Sequence, residues 1–315
     1  MFRYALTRTA FAVAQCGAVL VVVFALTALL PGDTADVLAG EQGTPAQTAL
    51  VRARLGLDQP VSARFGAWLG GMAHGDFGRS LVTGLPVTHE IGARLGTTAL
   101  LAGCSLLVVV PLALLLGVVS GLREGSRTDR ALNAATVLLH AVPEFVLGLL
   151  LVAWLSLGLG LLPATAAGMT GAELWARPEA LVLPVGVLVS RQLCDLARQI
   201  RIGVAERKEG QVAAHLRLLG LPWRRVVARH ILPNALAPAV QQLARCVDGL
   251  LGGAVVVESL FAVGGLGTGF VEAVQNRDLP AVQCYALVFA ATAVAVNLVA
   301  DLAVHRLVPV REGRV

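Results

Sequence analysis

Apolar runs close to 20 residues long recur along this chain, and no other feature restricts its fold so strongly. A helix rises about 1.5 Å per residue, so such a run crosses a bilayer core of roughly 30 Å. Only 14% of the residues are charged and the mean hydropathy is +0.75, against about twice that charge share in an ordinary soluble domain. A water-soluble protein of 315 residues would have too few charges to cover its surface. The chain reads as an all-α polytopic membrane protein.

Six spans are expected. The first fills residues 10–30, behind Arg3 and Arg8. A secretory signal starts similarly, but its apolar core is usually about 7–15 residues. The run here is roughly 21 residues, ~31 Å as a helix, and stops at Pro31-Gly32-Asp33, so it is read as a retained transmembrane helix. The others fall at 97–121, 133–162, 179–200, 233–257 and 281–304. Three regions result: the N-terminal end with the first span (1–30), an extracytoplasmic insertion (31–96) and a five-helix core (97–315). In the insertion, TPAQTALVRARLGLDQP reads as a short amphipathic helix with Thr44 as N-cap and Pro45 at the first helical position. It ends around Gly56, and Asp58-Gln59-Pro60 marks the next turn.

The formal net charge is +5, but the basic residues, nearly all arginine, sit in the short connections between apolar runs. That is an orientation signal rather than a nucleic-acid footprint. Six spans put both termini on one side, and most of the 25 lysines and arginines lie there, so both termini are expected in the cytoplasm. Cys16, Cys104, Cys194, Cys246 and Cys284 are far apart and read as small packing residues. With no CxxC pair and scattered histidines, spacing supplies no metal site.

One cytoplasmic segment is unusually basic and interrupted: LLGLPWRRVVARHILPNALAP, residues 218–238. Between Gln211 and His230 the pattern predicts two short helices meeting at Gly220-Leu221-Pro222. Val212, Leu216 and Leu219 fall on one face of the first. Pro222 suits the first turn of the second, where Trp223, Val226 and Val227 lie beside Arg224, Arg225 and Arg229. Exposed Trp and Leu on short amphipathic helices suit docking into a groove of another protein.

Buried charge within a span faces a partner or an aqueous path. Gln241, Arg245 and Asp248, spaced i, i+4, i+7, share a helix face in span five and are read as lining a translocation path, with Arg245 paired to Asp248. Glu144 beside Pro143 is a further path candidate. Asn297 and Asp301 are expected near the cytoplasmic end of span six.

Gly220, nine further residues to His230, then Leu232-Pro233, resembles the EAA loop of permease subunits from ABC importers, here over residues 203–233. The whole segment is similar to the version found in dipeptide, oligopeptide and nickel permeases. LLPGDTADVLAG, LGLDQPVSARFGAWL, HGDFGRS, PVTHEIGARL, VPEFVLGLLL and ESLFAVGGLGTGFVEAVQNRDLPAVQ resemble other motifs of that family in its order, so the resemblance covers nearly the whole chain. The chain departs from the family at Gly210-Gln211, at Ala214-His215-Leu216 in the EAA positions, and at Gly96 and Gly264, where proline is usual.

The resemblance implies a type I ABC importer permease fold in the bacterial cytoplasmic membrane, with a cytoplasmic coupling helix. Leu216, Leu219, Gly220, Leu221, Trp223 and Arg224 would contact the ATPase. The implied partners are a second permease, two ATPase subunits and an extracytoplasmic solute-binding protein, with lipid around them and no nucleic acid. The expected cargo is a peptide, or by the same machinery nickel, a metal chelate or an opine. The chain has no G-x4-G-K-[ST] phosphate loop, so ATP and Mg are expected only in the partner subunits, and no catalytic residue is expected here. A secondary transporter is the rival from another class, but the internal repeat it should show is not evident.

Overall fold

The computed structural model describes residues 2–29, 44–54, 58–169 and 171–307. Those residues are overwhelmingly helical, and among them the sole extended pairing is an isolated bridge between Arg79 and Pro86. In chain order the helices are α1 (Phe2–Leu29), α2 (Pro45–Arg54), α3 (Val61–Ala73), α4 (Val87–Leu122), α5 (Arg127–Ala141) and α6 (Glu144–Leu151). They continue with α7 (Gly171–Ala176), α8 (Glu179–Glu209), α9 (Gln211–Leu218), α10 (Trp223–Val226), α11 (Leu232–Phe261), α12 (Leu266–Gln275) and α13 (Leu279–Leu307). Wider π-type turns, Val152–Gly158 and Val227–Ile231, follow α6 and α10.

Among the described residues, four helices are long and apolar enough to cross a bilayer alone: Leu6–Thr27, Val87–Leu122, Glu179–Glu209 and Leu279–Leu302. Two bent pairs raise the number of candidate spans to six. The third expected span, 133–162, is not one helix. It breaks between α5 and α6 with a bend of 97°, because Pro143 holds Val142 extended (φ −79°, ψ 125°) and lacks an N–H to continue the ladder. The stretch expected as a loop after span five contains α12, and α11 ends at a left-handed Ala262 (φ 52°). Helix α8 runs to Glu209, past the expected end near residue 200. Apolarity ends where lipid ends, but the backbone ladder does not depend on it. The helix at 45–54 has the expected start: Thr44 and Gln47 cap each other, Thr44 N–H donating to Gln47 Oε1 at 2.9 Å. Its predicted stop at Gly56, the break at Pro31-Gly32-Asp33 and Arg311 and Arg314 of the tail lie outside the described residues.

The chain forms two compact units. One comprises residues Met1–Thr98 and Val263–Val294. Its core gathers Val87 and Ile91 of α4, Leu266 and Ala273 of α12, and Ala281, Cys284 and Tyr285 of α13. Phe24 of α1 stacks on Phe65 and Trp68 of α3 at 4.9 and 5.6 Å between ring centroids. Polar crosslinks complete it: Ser80 Oγ donates to Asp278 at 2.5 Å, and Gln283 Nε2 to Thr27 Oγ1 at 2.9 Å.

The other unit, Ala99–Ala262 with Ala295–Val315, is organised around α8. Gly117 and Gly121 of α4 lie against it so closely that a Cβ would come within 2.7 Å of the Ala197 carbonyl and 2.8 Å of the Arg201 carbonyl. A small-xxx-small pair of this kind lets two membrane helices meet backbone to backbone, where lipid supplies no hydrophobic drive. On another side, Gly203 abuts the Ala235 carbonyl of α11, a Cβ there falling 2.6 Å away. A polar clasp pins α8 beyond these contacts. Asp129 accepts from Arg201 Nε at 2.7 Å and Nη2 at 2.8 Å, from Asn133 Nδ2 at 2.7 Å, from the Gly125 N–H at 3.0 Å, and from Ser120 Oγ. Outward, Leu107, Leu138 and Leu157 are each more than 70% exposed, as lipid-facing side chains are.

Candidate coupling segment and membrane cavity

Beyond Glu209 the chain turns at Gly210 (ψ 152°) into α9. The end of α9 is a Schellman motif: the Gly220 N–H bonds the Arg217 carbonyl at 3.0 Å and the Leu221 N–H reaches back to Leu216 at 3.2 Å. Gly220 stands at φ +78°, the left-handed conformation this motif requires and side chains resist. Pro222 immediately precedes Trp223–Val226, rather than opening it, and its carbonyl accepts from the Arg225 N–H at 2.8 Å.

Ala213, Val226 and Ile231 face inward and are buried. The opposite side is apolar but uncovered: Val212 is 68% exposed, Leu219 62% and Leu218 86%. Leu216 and Leu221 are half-buried, and Arg224 is exposed. Trp223 is flanked by the Arg217 guanidinium, 5.3 Å from its ring centroid, a cation–π contact that holds both side chains at the surface. No acidic residue occurs from Gln211 to Leu232. The expected six are thus brought to one turn. Sequence reasoning missed Leu218 and Arg217; the 3.6-residue period for Leu218 and the six-residue separation from Trp223 for Arg217 were the available signals.

The expected pairing of Arg245 with Asp248 is not formed. Asp248 Oδ2 accepts from Asn297 Nδ2 of α13 at 2.7 Å, while Arg245 Nε donates to Gln242 at 2.9 Å. Three residues apart on a helix, the two side chains are near enough to pair, but a carboxamide from α13 holds the carboxylate and Arg245 turns back to Gln242 on its own helix. Asp248 Oδ1 is buried without a partner. Gln241 is exposed and stands apart from the cavity that Arg245 enters. Glu144 is 14% exposed and pairs with Arg191 of α8 at 3.5 Å.

That cavity, about 490 Å³, opens between α8, α11 and the end of α5. Arg191, Asp195 and Arg198 of α8 line it at i, i+4, i+7, facing Gln242 and Arg245 of α11. The spacing repeats that of Gln241, Arg245 and Asp248, so the same periodicity argument applied to span four identifies the second wall. His140, Cys194 and Asp195 each place one potential metal-ligand atom within 4.8 Å of the others, a grouping hidden in sequence because α5 and α8 supply it together. His140 Nδ1 lies 3.0 Å from the Arg191 carbonyl, and the arginines around it oppose a dication.

Residues 113–311 match the family described as "Binding-protein-dependent transport system inner membrane component", and residues 1–102 match its N-terminal companion. A Brucella abortus protein named as a peptide transport system permease is 33% identical over 299 residues, covering 94% of this chain and 95% of the relative. Glutathione transport system permease proteins of Pectobacterium atrosepticum and Salmonella typhi are 34% and 33% identical, covering 90% and 96% of both partners. With both matches spanning almost its full length and the relatives aligned end to end, the chain belongs to the family of binding-protein-dependent transport system inner membrane components, the membrane-spanning permeases of ABC importers.

Proposed function

We propose that this permease imports peptides across the bacterial cytoplasmic membrane, with both termini and the α9–α10 turn on the cytoplasmic side. The similarity to peptide and glutathione permeases supports that cargo class. It works with a second permease, two ATPase subunits that bind ATP and Mg, and an extracytoplasmic solute-binding protein. The chain itself contributes coupling and a path; hydrolysis belongs to its partners.

The observation that carries this reading is the uncovered apolar turn at Gly220. Val212, Leu218 and Leu219 are exposed on a surface whose charged side chains are all basic. Such a face fits a cleft with an apolar floor and an acidic rim. Because α9 follows directly from α8, with Gly210 alone between them, displacement of the turn by a closing ATPase pair pulls on the helix at the centre of its unit. Gly203 against Ala235, and Arg201 against Asp129, pass that pull to α11 and α5. Binding protein and ATP then bias inward-open and outward-open states by binding them unequally. Arg245, on the cavity wall, is assigned to the path with Asp248 and Glu144, Gln241 to the same helix outside the cavity, and residues 31–96 and 258–280 to the outer face that meets the binding protein.

The test is Gly220→Val and Trp223→Ala, each alone, reading ATPase co-purification and binding-protein-stimulated ATP hydrolysis. Valine at φ +78° strains the turn, and Trp223→Ala removes the aromatic anchor. Either should lower stimulated hydrolysis while the permease remains inserted. Unchanged hydrolysis and co-purification in both would reduce the arginines to orientation signals.

A further inference from the structure

The cavity in the α8 unit carries more positive charge than its acidic neighbours offset. Arg191, Arg198 and Arg245 line it, against one carboxylate, Asp195. Glu144 offsets Arg191 from 3.5 Å. Arg245 spends its Nε on the neutral amide of Gln242, leaving both Nη groups. Arg198 takes part in no ion pair among the described residues, and Asp195 lies beyond ion-pair reach of all three arginines. By helical rise, Arg191 stands about 18 Å from the start of the span expected at 179–200 and about 14 Å from its end, so it sits near mid-span rather than at a boundary. Guanidinium groups at that depth are costly unless they face an aqueous path or an anion.

The geometry suits a planar anion. Arg191 and Arg198 project from one face of α8, two turns apart, and Arg245 meets them from α11 across a space of about 490 Å³. A guanidinium fork binds a carboxylate through two parallel N–H···O bonds, which an ammonium cannot do. Gln192 and Gln242, on the same walls, offer neutral donors and acceptors to an amide backbone. We propose that this cavity is a carboxylate-binding subsite on the transport path, holding the free terminal carboxylate of the peptide as it passes. The assignment rests on the peptide-permease reading above. It adds that the membrane subunit selects among delivered solutes, admitting those with a free carboxylate over their neutral amides. With Arg191 already shared with Glu144, the hold is divided among separate cations, and the solute can be released as well as captured.

The first test uses the intact complex in lipid nanodiscs and phenylglyoxal, an arginine-selective dicarbonyl, with mass spectrometry at Arg198 and Arg245. Trialanine should slow modification of both severalfold, whereas its C-terminal amide should not; Arg127, outside the cavity, serves as reference. Equal protection by the amide overturns the proposal. So does equal protection by inorganic phosphate at matched ionic strength, which marks a general anion site. Two unreactive arginines would also overturn it, since a second permease then seals the cavity. The second test measures uptake with Arg198→Gln and Arg245→Gln. Loss of a charge-assisted bond slows import of trialanine roughly tenfold or more relative to its amide, with the binding protein unchanged throughout. An equal loss for both solutes refutes carboxylate recognition. Should the unmodified complex import neither while the protection pattern holds, the peptide-importer reading fails and the subsite stands.

Discussion

Replacing Asp129 by alanine tests the clasp that anchors α8 ahead of the coupling segment. The Asp129 carboxylate is almost fully buried and accepts from Ser120, the Gly125 N–H, Asn133 and both Nε and Nη2 of Arg201. Its removal leaves the Arg201 guanidinium, itself 23% exposed, with only Glu124 at 3.5 Å. Breaking a buried pair from one side costs about 3–5 kcal/mol, most of it the penalty of the charge left behind. That is a large fraction of a typical total of roughly 5–15 kcal/mol. The N-cap bond from the Asp129 N–H to Ser126 Oγ, removed in Ser126→Ala, should cost only about 1 kcal/mol. Tryptophan fluorescence during thermal unfolding of the detergent-purified permease orders the variants. Asp129→Ala should unfold well below Ser126→Ala, and the paired change Asp129→Leu with Arg201→Met should recover part of the loss by removing both charges together. An Asp129→Ala protein as stable as Ser126→Ala, or a double variant showing the plain sum of its single losses, would refute the clasp as an energetic anchor.

Gly121→Leu drives a side chain into the Arg201 carbonyl and Val204 Cβ, both 2.8 Å from the position of a Cβ; the permease should lose its folded fraction in size-exclusion chromatography, while Gly103→Leu, with open space around it, should not. Asp248→Asn keeps an oxygen for the bond to Asn297 and puts a neutral NH2 in place of the buried carboxylate oxygen that has no partner, so with the buried charge gone the unfolding midpoint should hold or rise; a drop would show that the charge itself is stabilising. Glu272→Gln breaks the Arg94 ion pair of the other unit, whose side chains are 28% and 53% exposed. It should change stability by less than about 1 kcal/mol in the same unfolding assay.

Much of this molecule is determined by local pattern. Hydrocarbon thickness and helical rise turn each 20-residue apolar run into a span whatever its neighbours do, so the all-helical membrane architecture follows from sequence. The turn at Gly220-Leu221-Pro222 follows as well, since a Schellman end needs only a residue tolerant of positive φ, and proline bars the helix from continuing. Tertiary structure decided where charges and breaks go. The bend at Val142-Pro143 makes two helices of what composition reads as one span. Asn297, from α13, decides that Asp248 is held away from Arg245. The arginine cavity needs α8 and α11 side by side, because Arg191, Arg198 and Arg245 are separated by up to 54 positions in the chain. Periodicity assigns each residue to a face of its own helix, whereas which faces meet depends on backbone approach at Gly117, Gly121 and Gly203, a relation between helices that no single window of sequence contains.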